Sequence, residues 1–232
     1  MSILKKDSSL KLVGNYLGLL LLGTLSLSAN AVVLNPGDTQ ALSGTTVAAN
    51  PQLAGVVLED EIINFTFHSG GDIAGHVQQR VVRSSVDGTL DFYWRVFNDG
   101  ASDAAIGSLR IGDFVAPEYD ADWRIDGLGD ESPESAHRFT GVYDSFVNFL
   151  FDADGLVAGD TSKFFFFDTT ATTYEKTALF DLTGVGAGGI STSFAAFAPS
   201  TGVVPAPASL ALFAAGLAGL GAVRRKAVIA EQ

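Results

Sequence analysis

Three histidines and 26 acidic residues are the groups in this chain most able to do chemistry. His68, His76 and His137 form no close metal pair of the HxH or HExxH kind, and no GxSxG marks a nucleophile. A hydrolytic triad would have to be assembled in space, so the three read more simply as surface or structural histidines. Carboxylates suffice for a glycosidase-like pair, but nothing selects two of them. The run Glu118, Asp120, Asp122, Asp126, Asp130, Glu131 and Glu134 offers loose calcium binding or, more simply, solvated loop charge. Asp152-Ala153-Asp154-Gly155 begins like a calcium loop. Leu156 then stands where a third oxygen is needed and Lys163 replaces the closing Glu, so it reads as an Asp-rich turn. Gly184 to Gly189 satisfies GxGxxG, but no helix-forming segment follows and no acidic residue lies about twenty positions on, so it reads as a loop. Trp94, Trp123 and Tyr119 could stack on a sugar ring. Trp94 belongs to an alternating strand and so to the core; Trp123, amid acids, is the exposed candidate. There is no cysteine, which excludes disulfides, thiolate metal sites and a Cys nucleophile. No catalytic residue, metal ligand or cofactor is assigned, and the chain reads as a non-enzyme.

The elements that would position these groups are strands. Leu90, Phe92, Trp94 and Val96 share one face of Leu90 to Asn98, Asp91, Tyr93 and Arg95 the other, and Asp99-Gly100 signals the turn. Ile62 to Phe67 is rich in strand formers. Further strands are expected at 77–83, 106–114, 146–151, 163–168, 178–182 and 191–197. The run Phe164 to Phe167 suits a strand covered on both faces. Segments 35–50 and 184–189 read as a flexible mature N-terminal extension and a tight loop. The expected fold is all-β: one β-sandwich domain, jelly-roll or Ig-like, over residues 32–203.

Hydrophobic residues make up 47% of the 232, and 17 are Phe, enough to bury a core. Residues 32–203 hold eight basic and 24 acidic side chains, a net of −16, which excludes a nucleic-acid partner.

The two ends read as targeting segments. Lys5, Lys6 and Lys11 precede an apolar run from Leu12 to Leu27, and Ala29 and Ala31 supply the small residues of a cut before Val32. Residues 1–31 are thus a signal peptide, with the Sec export machinery and signal peptidase as its partners. At the other end Val204-Pro205-Ala206-Pro207 precedes sixteen uncharged residues, Ala208 to Val223, and then Arg224-Arg225-Lys226. Sixteen residues make a helix of about 24 Å, long enough to enter a ~30 Å hydrocarbon core with local thinning, its basic cluster on the cytoplasmic side. Residues 204–232 are expected to contain a transmembrane helix.

This order of motif, apolar helix and basic cluster resembles the PEP-CTERM family of protein-sorting signals. The family's usual Glu between the prolines is Ala206 here, as in variants with an apolar residue there. The resemblance implies recognition by an exosortase-like membrane protease or transpeptidase, so that the chain is a substrate. It also implies membrane anchorage through the C-terminal helix and a destination at the cell surface or in extracellular polysaccharide. Phe92-x-Trp94-x-Val96-x-Asn98-Asp99 and Lys163-Phe164 to Tyr174, with Thr169-Thr170-Ala171 between, resemble mature regions found ahead of such signals, and these imply no particular activity.

Overall fold

The structure, a computed structural model, describes residues 31–200 apart from Pro117 and Ala187. The signal-peptide reading, Ala31 excepted, and the whole of Val204, Pro205, Ala206, Pro207, the anchor helix, Arg224, Arg225 and Lys226 lie outside the described residues. Among the described residues no helix is long and apolar enough to cross a membrane.

The all-β expectation holds. Among the described residues twelve strands run β1 Val32–Val33, β2 Thr39–Ala41, β3 Gly55–His68, β4 Asp72–Ser84, β5 Leu90–Asn98, β6 Ile106–Gly112, β7 Asp120–Trp123, β8 Ser135–Arg138, β9 Val147–Leu150, β10 Phe165–Asp168, β11 Tyr174–Gly184 and β12 Phe194–Pro199. Two short 3₁₀ turns, η1 Pro51–Leu53 and η2 Gly141–Tyr143, interrupt them. The strands make two six-stranded antiparallel sheets. Sheet I has the order β1-β7-β10-β5-β4-β3, and sheet II the order β12-β11-β6-β9-β8-β2.

The inner faces of both sheets supply one core, a sandwich-like arrangement. Phe92, Trp94 and Val96 of β5 and Phe165 and Phe167 of β10 share it with Leu109 and Ile111 of β6, Phe149 of β9 and Phe180 and Leu182 of β11. Its centre is aromatic: Phe149 lies 4.6 Å from Phe165 across the sheets, and Phe114 lies 4.8 Å from Phe167 and 5.2 Å from Phe92 between ring centroids. Alternation along β5 places these residues inward, as the sequence predicts.

A second, smaller core lies on the outer face of sheet I. Loop 47–54, with Leu53 of η1, covers Val82, Tyr93, Phe164 and Phe166. The Phe164–Phe167 run is therefore covered on both sides, as expected, and Asp91 and Tyr93 on the nominally polar face of β5 are buried too.

Segment 35–50 corrects the expectation of a flexible extension. Its β2 pairs with β8, and Thr45 bridges Arg124 while its amide donates to the Trp123 carbonyl at 2.9 Å. The loop at 184–189 does fold back tightly, the Gly184 amide donating to the Gly189 carbonyl at 3.1 Å.

The long strand β3 forms one edge of sheet I. Its acidic residues are tied down: Arg80 holds Asp60 at 2.7 Å, Lys176 of sheet II holds Glu61 at 2.6 Å, and the Tyr174 hydroxyl donates to Glu59 at 2.8 Å. A bulge between Val57 and Glu59 further breaks its regularity, so charge and irregularity guard the edge against pairing with another strand.

Candidate functional site

The outer face of sheet II carries a polar row flanked by aromatic rings. Because Leu109, Ile111, Val147, Phe149, Ala136, Phe180 and Leu182 point into the core, their alternate neighbours point out. Register then aligns Asp181, Arg110, Asn148, His137 and Thr39 across five strands. Arg110 donates to Asp181 at 2.6 Å, and His137 Nδ1 meets the Thr39 hydroxyl at 2.7 Å. The buried atoms Arg110 Nε, Asn148 Oδ1 and Asp181 Oδ1 have no hydrogen-bond partner among the described residues.

Beside this row the β8–β9 connection raises a small aromatic wall. Phe139, Tyr143, Phe146 and Arg110 enclose a hollow of about 290 Å³. Tyr143 meets Phe146 edge to face at 5.7 Å, and the Arg110 guanidinium stands 5.9 Å from the Phe146 ring. Phe146 can lie down on the sheet because residue 112 is glycine; a Cβ there would come within 2.4 Å of its ring. Tyr143 is 59% exposed and its neighbour Val142 87%. An exposed ring beside fixed donors and acceptors can stack on an apolar face while binding its polar rim.

The aromatic candidates of the sequence fall elsewhere. Trp94 is in the core, as expected, and Tyr119 is also buried, its hydroxyl donating to the Phe114 carbonyl. Trp123 is not the exposed platform expected of it. It packs half-buried against the core, with Gly44 pressed on its ring so closely that a Cβ would lie 2.5 Å away, and Lys163 Nζ 5.9 Å from the ring.

The histidines are dispersed. His76 stacks on Phe97 at 4.0 Å, and His137 belongs to the row on sheet II. His68 pairs with Asp72 at 2.9 Å in a hollow also lined by Ser102. These are the residue types of a triad, but Ser102 Oγ donates to the Ala74 carbonyl, accepts from the Ala74 amide, and has no bond to His68 among those described. The side chains of His68 and Asp72 are 71% and 87% exposed, so nothing dry surrounds them.

The acidic run 118–134 is divided by the fold. Asp126 pairs with Arg124 at 2.6 Å. Asp122 is buried, which pushes its carboxyl upward, while the amides of Trp123 and Gly44 at 2.9 and 2.8 Å hold it down. Asp120 joins two residues that the sequence does not single out. On the outer face of sheet I it lies opposite Asp168, which lies opposite Asp91. Asp91 has no exposed surface, and burial, then the Asp168 charge, pushes its carboxyl up to about 9. Burial raises Asp168 and Asp120 as well. The Asp152 turn is an ordinary one, its Oδ1 capping the amides of Asp154 and Gly155 at 3.0 and 2.9 Å. Among the described residues no three His, Asp or Glu side chains make a ready-made metal cage.

No curated protein and no solved structure matches the chain. One family model does, that of the PEP-CTERM protein-sorting motif, over residues 203–226. The matched span takes in the Val204–Pro207 motif, the uncharged run and the Arg224–Lys226 cluster, and it implies recognition by an exosortase. The chain thus carries a PEP-CTERM protein-sorting motif, which follows the two-sheet domain in sequence.

Proposed function

We propose that this protein is exported, sorted and processed at the membrane by an exosortase-like protease or transpeptidase, and left at the cell surface or in extracellular polysaccharide. There its β-domain acts through non-covalent contacts and not as an enzyme. The family match at residues 203–226 carries this reading. An apolar run closed by three cations prefers lipid with its charges on the cytoplasmic side, whereas the domain before it is strongly acidic. Deleting residues 204–232 is expected to release the chain from the envelope without unfolding the domain. Fractionation of cells and mass spectrometry of the mature ends test this; a deletion variant still retained and trimmed like the parent refutes it.

The slot of Phe139, Tyr143 and Phe146 favours a second, compatible reading, in which the domain grips polysaccharide. Pyranose rings offer the apolar face and hydroxyl rim that stacked aromatics and a polar row can use. Tyr143→Ala is expected to weaken binding to matrix polysaccharide roughly 10-fold, about 1.4 kcal/mol, with the circular dichroism spectrum unchanged. A pull-down on host polysaccharide that retains the variant as well as the parent counts against it.

A further inference from the structure

The chain leaves the domain at one end of the sandwich, and three loops at that end hold apolar side chains out to solvent. Pro199, the last residue of β12, lies opposite Tyr174, the first of β11, and the Ser200 amide donates to the Thr173 carbonyl at 3.0 Å. Leu179 of β11 is opposite Gly112, so the loop after β6 leaves sheet II toward this end. Ile111 is opposite Val147 and Val147 opposite Arg138, which brings the β8–β9 connection and its η2 there too. On sheet I, Asp168 lies opposite Asp91 and Asp120, and residues 169–173 run from it to β11. The Leu90 amide donates to the Ala171 carbonyl at 2.8 Å, so the β4–β5 turn joins the group. The exposed apolar residues are Val86 in that turn, Val115 after β6, and Val142 and Tyr143 in η2. Scattered singly such residues are ordinary; gathered around the exit of the chain they form a surface.

We propose that, while the chain is anchored, this end of the sandwich rests on the lipid headgroup layer, with Val86, Val115, Val142 and Tyr143 entering it. The inference rests on the membrane reading above, in which the uncharged run from Ala208 enters lipid. Only the eight residues from Ser200 to Pro207 separate that run from β12, and fully extended they reach ~29 Å at most. The opposite end of the sandwich lies further off: Thr183 is nine residues from Tyr174, roughly 30 Å along β11. Valine gains by leaving water for the interface, and tyrosine buries its ring there while its hydroxyl stays wet. Each loop offers only one or two such groups, so the contact is shallow; the tether, by holding this end at high effective concentration, makes it persist. Exposed Asp87, Asp113, Glu118 and Asp144 lie in the same loops. The headgroup layer they suit is zwitterionic, since an anionic one repels them.

The test is fluorescence of the full chain reconstituted into phosphatidylcholine vesicles. The chain has no cysteine, so Val86→Cys, Val142→Cys and Ile190→Cys each accept a single environment-sensitive label. Ile190 is also exposed but bridges Thr183, at the far end of β11. Labels on Val86→Cys and Val142→Cys are expected to shift to the blue and to be quenched by lipids carrying a nitroxide on the headgroup. The label on Ile190→Cys should keep its aqueous emission and escape quenching. Adding Val142→Asp to Val86→Cys should reduce the quenching, and so should phosphatidylglycerol in the vesicles at low salt. Equal quenching at all three positions overturns the proposal, as does its absence at Val86→Cys and Val142→Cys in a chain that floats with the vesicles; either result leaves the anchor intact. Quenching that Val142→Asp does not change shows the tether acting alone and overturns it as well. A chain that fails to float with the vesicles refutes the anchor itself, and this contact with it.

Discussion

Asp91→Asn should stabilise the chain at neutral and alkaline pH and should do so by an amount that grows with pH. Asp91 is fully enclosed, and burial followed by the Asp168 charge raises its carboxyl from 3.8 to about 9. Between those values the folded chain keeps a proton that the unfolded chain has released. Its contribution is complete below the unfolded value and is lost as pH rises toward the folded one, at ~1.4 kcal/mol per pH unit. From pH 5 to pH 7 the parent should therefore lose roughly 3 kcal/mol relative to the Asn variant, which has no proton to hold. Asp168, Asp120 and Asp122 are also raised and act in the same direction. Asp60, Glu61, Asp87 and Asp126 are lowered and act in the opposite one. Groups that do not touch Asp91 are common to the two proteins and cancel to first order in the difference; Asp168, hydrogen-bonded to Asp91, shares in the titration being measured. Urea unfolding of parent and variant in chelator, at intervals from about pH 5 to pH 8, measures it. Parallel profiles, separated by a constant within ~0.5 kcal/mol, would show that Asp91 holds no proton of its own and would refute the argument.

Two further predictions concern packing. Phe167→Ala removes a ring in contact with Phe114, Trp94, Tyr119 and Phe149; it should cost ~3–5 kcal/mol in denaturant unfolding. Gly75→Ala puts a Cβ 1.9 Å from the Phe97 carbonyl and 2.8 Å from the Phe65 ring, which strand β5 cannot yield without losing register. A loss of ~1–3 kcal/mol or more, read as a lowered urea midpoint, is expected.

Strands whose inner face is apolar and whose ends carry turn residues were legible. Leu90–Asn98 is found at the expected bounds because a period of two and an Asp-Gly turn agree there. β7 was not, because Asp120 and Asp122 give it the look of a loop. Pairing with β10 and cover from the segment around Gly44 override that propensity. Trp123 misled for the same reason: sequence gives its acidic neighbours but not the glycine packed on its ring. The slot on sheet II was hidden because Arg110, Phe139 and Phe146 meet only through the β6–β9 pairing and the turn at η2. Asp91 and Asp168 are the lone acids of β5 and β10, but only register shows that they face each other.

If the proposed leader is cut after Ala31, the placement of β1 bears on the order of events in export. Val32 and Val33 are paired with Ala121 and Asp120, the Leu34 amide donates to the Tyr119 carbonyl at 2.8 Å, and Ala31 packs against the second core. A peptidase cutting after Ala31 needs these same residues extended and unpaired in its own cleft. Docking of β1 and removal of such a leader would therefore be rivals for one stretch of backbone. A chain that completes sheet I too early shields its own scissile bond, whereas one that stays open through translocation is trimmed cleanly and then zips its new N-terminus into place.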